Sequence, residues 1–148
     1  MSPEVANGSP IQSRWASILS MDAGDRIWNR AAMQGGGEKP AAGDRALADA
    51  VSFHGLVMSG GVLDSVERSD NLTAVEDGFR WLGLDRIAEL LASVRHDIEA
   101  GALDDEDRME VLEQEADERY NAVLTSDADL EAAFRRRLVE SPTAFGES

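Results

Sequence analysis

The chain has no cysteine, which excludes a disulfide framework and any thiolate-ligated metal. At 148 residues it is long enough to bury a core without such staples. Nowhere do apolar and polar residues alternate at period two over a useful length, and β-branched runs are missing, so no strands are expected. Long apolar runs are missing as well. The longest nearly uncharged stretch, LADAVSFHGLVMSGGVL from Leu47 to Leu63, is broken by Asp49 and by Gly60-Gly61 and is too short to span a bilayer. The opening MSPEVANGSP has neither a basic segment nor an apolar core of the kind a secretion signal needs, so a cytoplasmic location is expected.

Positive charge is scarce where negative charge is dense. Of a formal net charge of −15, a surplus of 12 negative charges falls between Asp97 and Glu131, where fourteen acids face only Arg108 and Arg119. A surface of that kind repels nucleic acid and anionic lipid and attracts basic proteins.

The apolar residues follow helical spacing. Leu47, Val51, His54 and Met58 form one stripe and Ala46, Ala50, Phe53 and Val57 a second beside it. A helix apolar on most of its circumference belongs in a core, so this one is expected at the centre, starting near Asp44 as cap and stopping at Gly60-Gly61. Before it, Ser9-Pro10-Ile11-Gln12 opens a helix with Ile11, Trp15, Ile18 and Leu19 on one face, and a short helix from about Ala23 to Met33 turns Ile27, Trp28 and Ala31 inward until Gly35-Gly36-Gly37. After it come a turn over Val62 to Arg68 and a helix capped by Asp70 that carries Leu72, Val75, Phe79 and Leu82. The next helix, capped by Asp85, carries Ile87, Leu90, Leu91, Val94 and Ile98. From Asp105 to Leu124, Met109, Leu112, Ala116, Tyr120 and Val123 mark an inward stripe and Glu106, Glu110, Glu113 and Asp117 an outward one. Ser126 with Asp129 forms a capping box for a last helix with Leu130, Phe134 and Leu138 inside, and Pro142 prevents its continuation. The expectation is an all-α fold: an N-terminal arm over 1–9, one compact domain of six or seven helices over 10–141 around the apolar helix, and a tail over 142–148 in which Phe145 is the only anchor.

Catalytic and metal-binding patterns are thin. There is no His-x-x-x-His or Glu-x-x-His pair, so no metal or other cofactor is expected. Asp104-Asp105-Glu106-Asp107 lacks the spacing, central glycine and terminal glutamate of a calcium loop, and Gly35-Gly36-Gly37-Glu38-Lys39 lacks the strand and the hydroxyl residue of a phosphate loop. His54, on an apolar stripe, reads as a packed, hydrogen-bonded core histidine, and His96 as an exposed one. The chain is not expected to be an enzyme. Arg135-Arg136-Arg137, late in a helix, suits the negative end of that helix and pairing with acids rather than nucleic acid.

Three segments, FHGLVMSGGVLDSVER (53–68), AVEDGFRWLGLDRIAELLASV (74–94) and ERYNAVLTSDADLEAAFRRRLVESPTAF (118–145), together resemble the bacterial domain of unknown function named for DNA mimic protein nineteen. The corresponding elements are Ser59-Gly60-Gly61, Phe79 to Leu84, and Pro142 with Phe145, with Ser59 and Leu63-Asp64-Ser65 departing from the family's pattern. The resemblance covers roughly Ala46 to Phe145. It implies an all-helical acidic protein that presents carboxylates where a partner expects phosphates.

The spacing permits such a role. Glu106, Glu110, Glu113 and Asp117 follow one another at about 4.5 to 6 Å along a helix, against about 3.4 Å between phosphates on one DNA strand. Asp104, Asp107 and Glu118, with Asp127, Asp129 and Glu131 from the next helix, would have to fill the array. The expected partner-binding residues are therefore Asp104, Asp105, Glu106, Asp107, Glu110, Glu113, Asp117 and Glu118, facing a basic, DNA-binding protein. No direct contact with nucleic acid or membrane is expected. The alternative is a helical adaptor or immunity-type protein that binds through an apolar surface near Trp15, Trp28 or Trp81.

Overall fold

Gly61 divides the long apolar stretch in two. Its φ of 88° is a value that L side chains rarely adopt, and it separates α2 (Ala42–Gly60) from α3 (Val62–Arg68). A computed structural model describes residues 22–146, which form seven α-helices and, among the described residues, no strand. The others are α1 (Ala23–Gln34), α4 (Leu72–Trp81), α5 (Asp85–Glu99), α6 (Glu106–Val123) and α7 (Asp127–Glu140), with single 3-10 turns at Ala102–Asp104 and Pro142–Ala144. The expected arm over 1–9 and the expected first helix, with Ile11, Trp15, Ile18 and Leu19, lie outside the described residues. No helix among the described residues is long and apolar enough to cross a membrane.

The described part of the fold is all-α, as expected, but α2 is not apolar all round. It packs against α1, α3, α4 and α7, while Arg45, Ser52, Gly55, Met58 and Ser59 face outward. Met58, assigned to the apolar stripe, is 47% exposed, and Val51 is half-buried. Of the first stripe Leu47 and His54 are buried, whereas the second, Ala46, Ala50, Phe53 and Val57, is buried throughout. The contact with α4 is close because Gly78 has no side chain. A Cβ there would stand 2.8 Å from the carbonyl oxygen of Ala46. α4 in turn lies on α5, and α3 touches both α5 and α6.

Several helix starts differ by a residue or more from the sequence reading. Val62 to Arg68 is a helix rather than a turn, burying Val62, Leu63 and Val66. Asn71, not Asp70, caps α4, its side chain accepting the Ala74 N–H at 3.2 Å. Leu84 precedes α5, and Asp85 is its first residue. Asp44 sits inside α2 rather than at its cap, and reaches back to accept the Ala41 N–H at 3.1 Å. Of the expected Ser126–Asp129 capping box, the Asp129 half is formed, its side chain accepting the Ser126 N–H at 3.2 Å, while the Asp129 N–H bonds to the Ser126 carbonyl at 3.1 Å.

One continuous core joins the inward residues of all seven helices, with Phe53, Phe79, Tyr120 and Phe134 among its largest members. Phe145 is indeed an anchor: it is buried, with Trp81 and Phe134 each at 5.4 Å between ring centroids. Two buried carboxylates brace this core from its edges. Asp44 holds Arg30 of α1 at 2.8 Å and accepts the Gly146 N–H at 2.7 Å, while Glu76 of α4 receives Arg95 of α5 and has Arg80 at 3.8 Å. Asp44 was expected as a helix cap but not as the partner of Arg30, and Glu76 was not singled out from the sequence, although it stands four residues before Arg80.

Candidate acidic interface

Helix α6 places the densest run of acids. Asp105 begins it, its side chain accepting the N–H groups of Asp107 at 3.0 Å and Arg108 at 3.3 Å. Ala116 and Tyr120 are buried, and Met109, Leu112 and Val123 half-buried, which fixes the rotation of the helix against α3 and α5. The inward stripe read from the sequence is therefore the observed one. With a turn of about 100° per residue, Glu106, Glu110, Glu113 and Asp117 fall within an arc of about 60°. Glu106, Glu110 and Glu113 are exposed and make no ion pair among the described residues. Arg108 and Arg119 of the same helix lie roughly 150 to 170° from the centre of that stripe and make no ion pair among the described residues either.

Asp117 differs from its neighbours in the stripe. It is turned partly inward, and its Oδ1 accepts the Val62 N–H at 2.9 Å, closing the start of α3. Asp105, as the cap of α6, is likewise engaged with its own backbone. Of the other expected residues, Asp104 and Asp107 project without an ion pair, and Glu118 accepts a 3.3 Å hydrogen bond from Gln114.

The acids farther along do not extend the array. Asp127 Oδ1 stands 2.9 Å from His54 Nε2, Asp129 accepts the N–H groups of Thr125 and Ser126, and Glu131 pairs with Arg135 at 2.9 Å. Arg135 also binds Asp22 at 3.3 Å and Asp25 at 2.7 Å, fastening α1 to α7. Arg137 lies over the Trp81 ring at 4.4 Å, and Arg136 is exposed. Among the described residues, the salt bridges with acids expected of the arginine triplet are made by Arg135 alone. The Asp22 carboxyl is held below its ordinary value of 3.8, first by the Asp25 N–H and then by Arg135.

His54 is 3% exposed. Its Nδ1 is 2.7 Å from the Tyr120 hydroxyl, and the two rings stack with centroids 5.8 Å apart. Nε2, though close to Asp127, lacks an aligned acceptor, so that contact is electrostatic rather than a well-formed hydrogen bond. The residue joins α2, α6 and α7. Burial, and then the nearby Asp127 carboxylate, push the ionisation of the Tyr120 hydroxyl far up.

Two of the three tryptophans assigned to a possible apolar interface are packed. Trp28 is half-buried with Phe134 at 6.0 Å, Trp81 is half-buried between Phe145 and Arg137, and Trp15 lies outside the described residues. Among the described residues no group of three or more His, Asp or Glu side chains is placed to hold a metal ion. Comparison of the chain with family models, curated proteins and solved structures gave no match.

Proposed function

We propose that this is a non-enzymatic binding protein whose α6 face occupies the DNA-binding surface of a basic protein partner. The observation that carries the reading is a concentration of unpaired charge: Glu106, Glu110 and Glu113 stand exposed and unpaired on one side of α6, whereas Asp25, Asp44, Asp64, Glu76, Asp77 and Glu131 on other helices are held by Arg30, Arg68, Arg80, Arg95 and Arg135. Exposed carboxylates at spacings of about 4.5 to 6 Å attract a surface built for phosphates, and they do so over a distance of about one Debye length. Asp104, Asp107 and Glu118 broaden the face; Asp105 and Asp117 serve the fold and contribute charge only.

The test begins with capture of partners from a native lysate at low salt, followed by challenge of the captured complex with duplex DNA. The expected result is a basic protein released both by DNA and by raised salt, and not captured by the variant Glu106→Lys, Glu110→Lys, Glu113→Lys. Asp117 is left unchanged in this variant so that the fold is not disturbed. A partner held equally by the triple-lysine variant, or one that DNA fails to displace, overturns the proposal.

A further inference from the structure

A cavity of about 520 Å³ lies along the outer side of α2, walled on the far side by the α3–α4 connection and the first turn of α4. It shares no residue with the acidic face of α6. Phe53, Leu56 and Val75 contribute apolar surface to its lining, while Arg45, Asp49 and Asp70 contribute charge. Arg45 and Asp49 stand four residues apart on α2, about 6 Å along the axis, a spacing at which opposite charges often pair. Here they do not: neither makes an ion pair with the other or with any described residue. The second arginine of the lining, Arg68, is already held by Asp64 at 3.2 Å.

An unpaired cation and an unpaired carboxylate one helical turn apart, beside apolar surface in a concave site, have the form of a small-molecule site. A simple anion satisfies Arg45 but meets Asp49 and Asp70. A simple cation satisfies Asp49 and leaves Arg45 without a partner. We propose that this cavity binds a small zwitterion, an amine and a carboxylate joined by a short apolar stem, with its carboxylate on Arg45 and its ammonium on Asp49. The stem lies on Phe53, Leu56 and Val75. Burial already pushes the Asp49 carboxyl above its ordinary value of 3.8, so the ligand's ammonium would offset a standing cost. The site is independent of the DNA-like role of α6.

The probe is 6-aminohexanoate, titrated calorimetrically into the full chain beside hexylamine and hexanoate. Binding of 6-aminohexanoate is expected, with each single-charge analogue weaker by about tenfold or more through loss of one charge-assisted contact. Asp49→Asn and Arg45→Gln should each weaken 6-aminohexanoate by about the same factor, with thermal melts showing that both variants fold. Absence of binding by 6-aminohexanoate overturns the proposal, as does an analogue that binds equally well. Undiminished binding by either variant overturns the placement on Arg45 and Asp49.

Discussion

Asp117 of α6 accepts the backbone N–H of Val62 at 2.9 Å, so a carboxylate from a distant helix closes the N-terminus of α3. Gly61, which precedes that helix, has no side chain with which to cap it. Loss of a cap of this kind costs about 1 to 2 kcal/mol, so Asp117→Ala should lower the unfolding free energy by that amount in urea titrations. Glu113→Ala, one turn earlier on the same stripe, should change it by less than about 0.5 kcal/mol because its side chain is exposed and unpaired. Equal losses from the two substitutions would contradict the division of this stripe into a structural acid and free ones.

Asp44 should be the most sensitive carboxylate in the fold. It is 1% exposed, and it joins Arg30 of α1, the start of α2 and the backbone of Gly146. Asp44→Ala removes the carboxylate partner of a partly buried guanidinium, which keeps the Gly146 carbonyl at 3.3 Å, and leaves the Ala41 and Gly146 N–H groups without their acceptor. The expected loss is about 3 to 5 kcal/mol, read from the midpoint and slope of urea denaturation. A loss below about 1 kcal/mol would mean that water replaces the carboxylate and that the C-terminal segment is not held through it.

Much of the architecture was legible because its signals are local. Ile87, Leu90, Leu91 and Val94 show their helix by spacing alone, and Ser126 with Asp129 is a short-range pattern. α3 was hidden for the opposite reason. It is only seven residues long, and its capping carboxylate belongs to α6, so nothing within Val62–Arg68 declares where the helix begins. The candidate face was legible in composition but not in detail. Charge counts could not separate Glu110, which projects freely, from Asp117, which turns inward, or from Asp129, which caps α7. The burial of His54 was legible from its stripe, whereas its partners Tyr120 and Asp127 come from remote helices.

Asp49 opposes stability at neutral pH. Its carboxyl is raised above 3.8 by burial, so the folded state binds its proton more tightly than the unfolded state does. The associated stability is complete below the unfolded value and is lost as pH rises through the folded one. Asp49→Asn removes that loss. The variant should melt at a higher temperature than the wild type at neutral pH, and the difference should shrink as pH falls through the raised folded value and vanish below 3.8. A melting temperature that falls at neutral pH would show that the carboxylate makes a stabilising contact inside the protein, and would weaken the case for a ligand there.

Tyr120 gives a pH response of its own at the alkaline end. Its hydroxyl ionises well above the ordinary 10.0, through burial first and then through the charge of Asp127, so above that pH the unfolded state releases a proton that the folded state retains. Stability from this group is complete below pH 10.0 and declines as pH rises beyond it. The protein has one tyrosine, so the tyrosinate absorbance band reports on this residue alone. The band should remain absent above pH 10.0 while the fold persists, and appear together with the loss of helical circular dichroism. Tyr120→Phe leaves His54 Nδ1 buried without its partner, a cost of about 1 to 3 kcal/mol at neutral pH. It also removes the alkaline decline due to Tyr120, so the stability gap between the two proteins should narrow above pH 10.0. A tyrosinate band that develops near pH 10.0 in a protein still fully helical would mean that water reaches the hydroxyl, and that the junction of α2, α6 and α7 is looser than the 2.7 Å contact with His54 implies.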